Sequence, residues 1–503
     1  MQVQFAARTD VGRVRQHNED NFLVDRKYQL YIVADGMGGH ACGEVASATA
    51  VNVIRENILK NREILEEFEQ GDPSVTRRDI LALLEHSVQH ACYRIFEKGL
   101  ANPRQRGMGT TVSMMLVAGG RGFVAHVGDS RVYLVRQGQV HQLTEDHSLL
   151  NELLKHGKVK SLKDIDHRFK NAVTRAVGVY ESVEVDTLDF DILPGDRYLL
   201  CSDGLTGYTD SEIILQKTKG DDLEKIVEDF ITFANAKGGK DNITAIYLTV
   251  AEDDKQGDYE HVKLKFETLK GLSLFKYLSY QELVKVMNIA GERTFRPGEL
   301  IFEEGVAEDV LYILLAGTVD IRKGDVEIAV LKRGVHFGEM SLVDSSPRSA
   351  TAVARDDVRV LTITRKDFYG VLRKNSTIAV KMLWSFIKAL TIRLRRTSDE
   401  LSKVKSMQAS DRMTGEDLMA AWMDVLPPSD ISLLTPLPVM DRDSDDLPVV
   451  DDLEEITQSG ASDPDQVPPD LLPLSAVPAP PRPQPVTEHF RPPAPPAIPK
   501  PEP

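Results

Sequence analysis

Proline placement constrains this chain more than any other feature. Of 26 prolines in 503 residues, 21 fall from Pro427 onward, and only Pro73, Pro103, Pro194, Pro297 and Pro347 precede them. Proline removes a backbone donor and fixes φ, so it is kept out of helix interiors and central strands. Regular structure is therefore confined to the first four-fifths of the chain. Charge divides in the same place: residues 401–503 carry 7 Lys or Arg against 18 Asp or Glu, so −11 of the total −16 lies there. Residues 405–503 are expected to be a disordered acidic tail with polyproline character, because they hold too little apolar surface to offset chain entropy. One island interrupts it, where Thr414 and Asp417 precede Leu418, Trp422, Val425 and Leu426 on one helical face; a docking motif and a fraying helix extension are both open.

The remaining 400 residues are only mildly acidic, which excludes nonspecific binding to a nucleic-acid backbone. The start, Met1-Gln2-Val3-Gln4-Phe5, has no basic segment followed by an apolar one, and the longest apolar run, near Val310 to Ala316, is too short to cross a bilayer. A cytoplasmic protein without a membrane partner is expected. Cys42, Cys92 and Cys201 stand at unpaired spacings and read as core residues.

Short β-branched or aromatic runs at Leu30 to Ala34, Thr111 to Val117, Gly122 to Val127, Arg131 to Val135, Tyr198 to Cys201 and Ile243 to Val250 read as strands, and 44–69 and 79–98 read as helices. Because strands and helices come in runs, the fold class is α+β with largely antiparallel sheets. A polar stretch after residue 252 marks a linker over 253–271. From 272 to about 370 many short strands with glycine punctuation suggest a β-barrel or jelly roll. The run 376–404 lacks Pro and Gly, and Leu383, Ile387, Leu390, Leu394, Thr397, Leu401 and Val404 recur at alternating gaps of four and three. That helix either packs back on its own barrel or forms a homodimer.

Four aspartates stand where apolar strands end or begin: Asp35, Asp129, Asp203 and Asp241. Singly each reads as a turn residue. Together they could converge on one edge of a sheet sandwich, and oxygen ligands without His or Cys would select magnesium or manganese.

The segments Asn18-Glu19-Asp20-Asn21, Val33-Ala34-Asp35-Gly36-Met37-Gly38-Gly39-His40, Gly109-Thr110-Thr111, Val127-Gly128-Asp129-Ser130-Arg131, Leu200-Cys201-Ser202-Asp203-Gly204-Leu205 and Gly239-Lys240-Asp241-Asn242-Ile243-Thr244 resemble, in order, the motifs of metal-dependent protein phosphatases of type 2C. The resemblance implies a four-layer α/β/β/α sandwich over residues 1–252, with a two-metal site between the sheets. It implies that Asp35 bridges two Mn²⁺ or Mg²⁺ ions, that the Gly36 carbonyl binds one, and that Asp203 and Asp241 hold the other. Glu19 and Asp20 would act through water, Asp129 with Asp203 would bind a third ion, Arg15 would bind phosphate, and Thr110 would support the site. Two departures stand out. Met37 occupies the place where some members have a proposed general-acid histidine, which leaves His40 or a water. The segment Asp146 to Gly178 corresponds to a mobile substrate flap, but His167-Arg168-Phe169-Lys170-Asn171 lacks the usual proline.

Further on, Phe337-Gly338-Glu339-Met340-Ser341-Leu342 followed by Arg348-Ser349-Ala350-Thr351-Ala352-Val353 looks like the phosphate-binding cassette of cyclic nucleotide-binding domains, with Arg296 to Gly305 and Asp309 to Tyr312 matching its upstream strands. The resemblance covers 272–404. Glu339 would accept a ribose hydroxyl and Arg348 would pair with the cyclic phosphate, while amides after Gly338, at Met340 and Ser341, and those of Ser349 and Ala350 would complete an anion nest. An Arg348 without a ligand would be unpaired in an apolar barrel, at a cost. The base is open, with cyclic AMP favoured over cyclic GMP.

The expected protein is a phosphoserine/phosphothreonine phosphatase tuned by a cyclic nucleotide, acting on phosphorylated products of serine/threonine kinases. The helix 376–404 is the expected moving element. The alternative is a catalytically silent nucleotide sensor or phosphoprotein scaffold.

Overall fold

The computed structural model describes residues 3–38, 42–155, 172–251, 256–344 and 346–410. Two antiparallel sheets face each other in the first part. One has the strand order Val3–Asp10, Ile243–Val250, Arg197–Cys201, Arg131–Arg136 and Gln139–Gln142. The other runs Asp20–Asp25, Leu30–Met37, Val112–Ala118, Arg121–Val127 and Asp186–Asp191, with Gly109–Thr110 paired beside Leu30–Met37.

Strand alternation explains why both faces of each sheet are covered. Along Leu30–Met37, Tyr31 and Val33 point into the core between the sheets, where they meet Met115, Val132, Leu200, Ile246 and Leu248. Leu30, Ile32 and Ala34 point outward, against Ile54, Leu84, Val88 and Ala91 of helices Cys42–Lys60 and Arg77–Ala101. In the other sheet, Leu199, Cys201, Ala245 and Tyr247 turn to helix Leu223–Ala236 through Val227, Phe230 and Ile231. A strand buried on both faces reads as a continuous apolar run, and burying each such side chain stabilises by about 1.5–3 kcal/mol. The result is the four-layer α/β/β/α sandwich.

The helix expected over 44–69 is broken in two, Cys42–Lys60 and Arg62–Gln70, at Asn61, which leaves helical geometry (φ −106°, ψ 25°) while its side chain donates to the Asn57 carbonyl (2.8 Å). The expected linker over 253–271 also differs. Residues Gln256–Gly271 form a helix, and its apolar positions Leu264, Phe266 and Leu269 pack into the next core.

That core belongs to the second part. Helix Tyr280–Ile289 opens with a capping box, Ser279 and Glu282 exchanging bonds. Two four-stranded antiparallel sheets follow: Gly291–Phe295, Val358–Thr364, Val310–Ala316 and His336–Phe337 form one, and Leu300–Phe302, Thr351–Ala354, Thr318–Lys323 and Val326–Lys332 the other. They share a core of Tyr312, Leu314, Val319, Ile321, Leu331 and Val360, as a jelly roll requires. The final helix spans Ser376–Ser410. It packs back through Ile378, Met382 and Phe386, while Leu383, Ile387, Leu390, Leu394 and Leu401 of the heptad seam stay exposed. The three cysteines are buried free thiols. No described helix is long and apolar enough to cross a membrane. The tail island lies outside the described residues.

Candidate functional site

Antiparallel pairing sets Asp20 directly opposite Asp35, where the strands Asp20–Asp25 and Leu30–Met37 leave the sandwich. The other sheet delivers Asp203, just past Arg197–Cys201, and Asp241, just before Ile243–Val250. Asp129 sits in the turn after Arg121–Val127. Thus the aspartates singled out by sequence meet at one edge of the sandwich. Asp35 and Asp203 share a hydrogen bond, and the charges of Asp20, Asp129, Asp203 and Asp241 all bear on Asp35.

Asp20 and Asp35 are held from behind. The hydroxyls of Ser202 and Thr244 donate to Asp20 Oδ2 at 2.8 and 2.7 Å. The Asp35 backbone is fixed on both sides, its amide donating to Thr111 Oγ1 (2.9 Å) and its carbonyl accepting from the Thr110 hydroxyl (2.9 Å). Gly36 must be glycine because a Cβ there would lie 2.2 Å from the Gly43 carbonyl oxygen. Arg15 donates to Asp241 Oδ2 (2.8 Å), which raises the guanidinium pKa further, yet its side chain is 48% exposed and can meet a solvent-borne anion.

Sequence reasoning gave Asn242 no role, but it organises the loop that carries Arg15 and Glu19. Its Oδ1 accepts from the Glu19 amide (2.8 Å), and its Nδ2 donates to the Val11 and His17 carbonyls at 3.0 and 2.9 Å. The only sequence signal was its place directly after Asp241.

Burial and mutual repulsion lift these acids. Burial pushes Asp20 and Asp129 up to about 7, and Asp35 well above the usual carboxylate range; Asp203 is also raised by burial and then by Asp241. Oδ1 of Asp20 and Oδ1 of Asp203 are buried with no hydrogen-bond partner among the described residues. Orphaned buried carboxylate oxygens facing like charges are what a divalent cation would satisfy, and an all-oxygen set suits Mg²⁺ or Mn²⁺. Among the described residues no three or more His, Cys, Asp or Glu side chains stand close enough together to hold a metal ion as they are placed. The acids fit the ions by donor type and electrostatics. His40 and most of the flap, residues 156–171, lie outside the described residues.

The second constellation lies in the jelly roll. Gly338, at φ +72°, ends strand His336–Phe337, and a Cβ there would lie 2.3 Å from Arg348 Nη1. Glu339 is buried, Met340 is exposed and opens the short helix Met340–Val343, and the Ser341 hydroxyl donates to the Gly338 carbonyl (2.7 Å). Ser349 and the buried Ala350 follow Arg348 into strand Thr351–Ala354. The cassette residues are therefore brought together.

Arg348, however, is not waiting unpaired. Its Nη2 donates to Glu308 Oε2 (3.0 Å) and the Val310 carbonyl (2.6 Å), and its guanidinium lies 4.2 Å above the Phe302 ring. Only Nε lacks a partner among the described residues. The expected cost of an unliganded Arg348 is thus largely met by Glu308, a residue sequence reasoning passed over because a surface glutamate carries no local signature.

Comparison with known proteins gives two family matches: the Protein phosphatase 2C model matches residues 12–246 and the Cyclic nucleotide-binding domain model matches residues 292–375. The chain is 39% identical over 247 residues to serine/threonine phosphatase stp of Listeria welshimeri, covering 48% of this chain and 93% of that protein. It is 34% identical over 252 residues to the serine/threonine protein phosphatase PstP of Mycobacterium tuberculosis, covering 50% of this chain and 46% of that one. The crystal structure of the M. tuberculosis phosphatase PstP/Ppp is similar at 33% identity, covering 50% of this chain and 99% of that chain, with a TM-score of 0.44.

Proposed function

Because the chain belongs to the protein phosphatase 2C family and its first 250 residues are a serine/threonine phosphatase, we propose that Asp35, Asp203, Asp241, Glu19, Asp20, Asp129 and the Gly36 carbonyl hold two or three Mn²⁺ or Mg²⁺ ions, and that a cyclic nucleotide on the second domain sets the rate. One observation carries the catalytic part: five aspartates from both sheets converge at one edge, Asp20 buried and Asp35, Asp129 and Asp203 half-buried, and all four are raised in pKa. Bound divalent cations supply positive charge against phosphoryl oxygens and make an attacking water acidic enough to ionise near neutral pH.

The chain's own residues do the rest. Arg15 offers a planar fork to the phosphomonoester of phosphoserine or phosphothreonine, and Asp241 orients that fork from one side. Asn242 fixes the loop, so Arg15 and Glu19 hold their spacing from the aspartates. Ser202, Thr244, Thr110 and Thr111 fix the acids before substrate arrives, so little reorganisation remains for the chemical step.

In the second domain, Glu339 and Arg348 are the ribose and phosphate anchors, with the amides of Met340, Ser341, Ser349 and Ala350 around the phosphate. The exposed seam from Leu383 to Leu401 supports a homodimer, and three free buried cysteines fit a cytoplasmic setting.

The test is manganese-dependent hydrolysis of a phosphothreonine peptide by the full-length protein, with and without cyclic AMP and cyclic GMP. Activity abolished by Asp35→Asn and altered by one nucleotide is the expected result. Activity indifferent to both nucleotides would refute the regulation, and no activity under either metal would favour the scaffold reading.

A further inference from the structure

Helix Tyr280–Ile289 is shared by the two domains. One face enters the phosphatase: Val284 is buried in the core between its two sheets, and Tyr280 stacks on His141 at 4.0 Å while its hydroxyl accepts from Arg136 (2.8 Å). The opposite face, Leu283, Val286 and Met287, lies in the core of the nucleotide domain. That core also contains Leu342 of the cassette helix Met340–Val343. The cassette helix and the helix that is seated in the phosphatase therefore share one core.

The far end of the shared helix grips one strand. Asn288 Nδ2 donates to the Asp189 carbonyl (2.6 Å) and to Asp189 Oδ1 (3.0 Å), and its Oδ1 accepts from Arg121 (3.1 Å). Arg121 also donates to Asp189 Oδ2 (2.8 Å), and Arg77 reaches the same carboxylate at 3.3 Å. Strand Asp186–Asp191 then runs alongside Arg121–Val127 toward the catalytic edge. A strand of this length spans roughly 17–20 Å.

At its other end, Asp186 pairs with His147 Nε2 (3.3 Å) and with Arg175 (3.2 Å). His147 in turn accepts from the Gly128 amide at Nδ1 (3.1 Å), while its own amide donates to the Gly128 carbonyl (2.7 Å). Gly128 is the residue before Asp129. The His147 carbonyl also accepts from Thr174, tying in the chain that leaves the flap. The imidazole is thus held at both nitrogens, Nδ1 by the Gly128 amide and Nε2 between Asp186 Oδ2 and Arg175 Nη1 (3.4 Å).

We propose that His147 is a positioning residue for Asp129, and that strand Asp186–Asp191 links it to Asn288 as the element through which the nucleotide-binding domain acts on the metal site. This rests on the nucleotide regulation proposed above, and it places the moving contact on helix Tyr280–Ile289 rather than on the final helix. Coupling requires that nucleotide favour one seating of the shared helix over another.

The full-length protein is examined by hydrogen exchange at residues 127–130 and 186–191, and by calorimetric titration of Mn²⁺ and of cyclic AMP or cyclic GMP. In wild type, nucleotide should change exchange in both segments and shift the Mn²⁺ dissociation constant several-fold. Asn288→Ala should bind nucleotide with wild-type affinity, yet lose most of both responses. His147→Ala should raise the Mn²⁺ dissociation constant at least about fivefold, and His147→Asn, whose Oδ1 can replace Nδ1 as the acceptor for Gly128, should restore it without restoring the nucleotide response. A purely structural His147 would give both variants lower melting temperatures with unchanged Mn²⁺ affinity, which overturns the positioning role. An Asn288→Ala protein that keeps the full nucleotide response overturns the relay and leaves regulation standing. Nucleotide that fails to bind, or that binds wild type and changes neither exchange, Mn²⁺ affinity nor activity, overturns both.

Discussion

Replacing Asn242 by Ala tests the idea that the catalytic loop is held by one buried amide. The substitution removes three side-chain hydrogen bonds, one to the Glu19 amide and two to the Val11 and His17 carbonyls. Asn242 is 4% exposed, so water cannot readily replace them. At about 1 kcal/mol net for each bond the loss is about 3 kcal/mol. For a domain of roughly 250 residues that corresponds to a fall of about 6–12 °C in Tm. Catalysis should fall as well, because the freed loop carries Arg15 and Glu19: kcat/KM on a phosphothreonine peptide should drop at least about tenfold, equivalent to about 1.4 kcal/mol of transition-state stabilisation. Asn242→Asp sharpens the test. It keeps shape and the acceptor for Glu19 but sets a second oxygen against two carbonyls, so it should be the less stable of the two. Calorimetry in excess chelator, beside kinetics at saturating Mn²⁺, separates folding from chemistry. The reasoning fails if Asn242→Asp is the more stable variant, or if both keep kcat/KM within twofold of wild type.

Three further outcomes follow from other buried groups. Burial holds His336 down at about 4 against an ordinary value near 6.5, so the folded state binds fewer protons than the unfolded one in that window; stability is present above pH 6.5 and falls as pH drops, by about 2 kcal/mol at pH 5. His336→Gln should remove that share, seen as a smaller drop in the urea midpoint between pH 7.5 and 5 followed by tryptophan fluorescence. Asp20 and Asp129 have the opposite sign: with folded values raised to about 7, their contribution is complete below about pH 4 and is lost as pH rises through 7 in chelator. Asp129→Asn should therefore raise the metal-free Tm at pH 8 by several degrees while weakening stabilisation by Mn²⁺, and a lower metal-free Tm would contradict this. Arg348→Lys, which keeps charge but loses the fork over Phe302, should weaken cyclic nucleotide binding at least about tenfold by calorimetry.

The acids of the site were legible because their chemistry demands a place that sequence can show. A carboxylate that must reach solvent from a sheet sandwich has to stand where an apolar run stops or starts, as Asp35, Asp129 and Asp203 do at strand ends and Asp241 does ahead of a strand. The residues that hold them were not legible, since Ser202, Thr244 and Thr111 lie in runs indistinguishable from ordinary strand ends, and their partners are 76 to 224 residues away in the chain. The helix Gln256–Gly271 was misread for a related reason: its polar start resembles a linker, and its apolar face is recognisable only once Leu264 and Leu269 have a core to enter. Helix Tyr280–Ile289 shows the limit more sharply. Its sequence announces one amphipathic helix, but Val284 and Leu283, adjacent in the chain, belong to the cores of different domains.

Arg348 changes how the nucleotide site is argued. A buried arginine was expected to need a ligand because it would otherwise be unpaired, yet Glu308 pairs with it and Phe302 lies beneath it. Binding is then an exchange: a cyclic phosphate would compete with Glu308 for a guanidinium that is already satisfied except at Nε. The affinity is the difference between two charge-assisted pairings, not the full strength of one. Glu308 is the softer partner to displace, because its side chain is 26% exposed against 5% for Arg348, so water can take over its solvation as it leaves. Removing it tests the exchange directly: Glu308→Gln should tighten nucleotide binding while lowering the stability of the empty domain. A loss of affinity would instead mean that Glu308 orients Arg348 for the ligand and stays in place when the nucleotide binds.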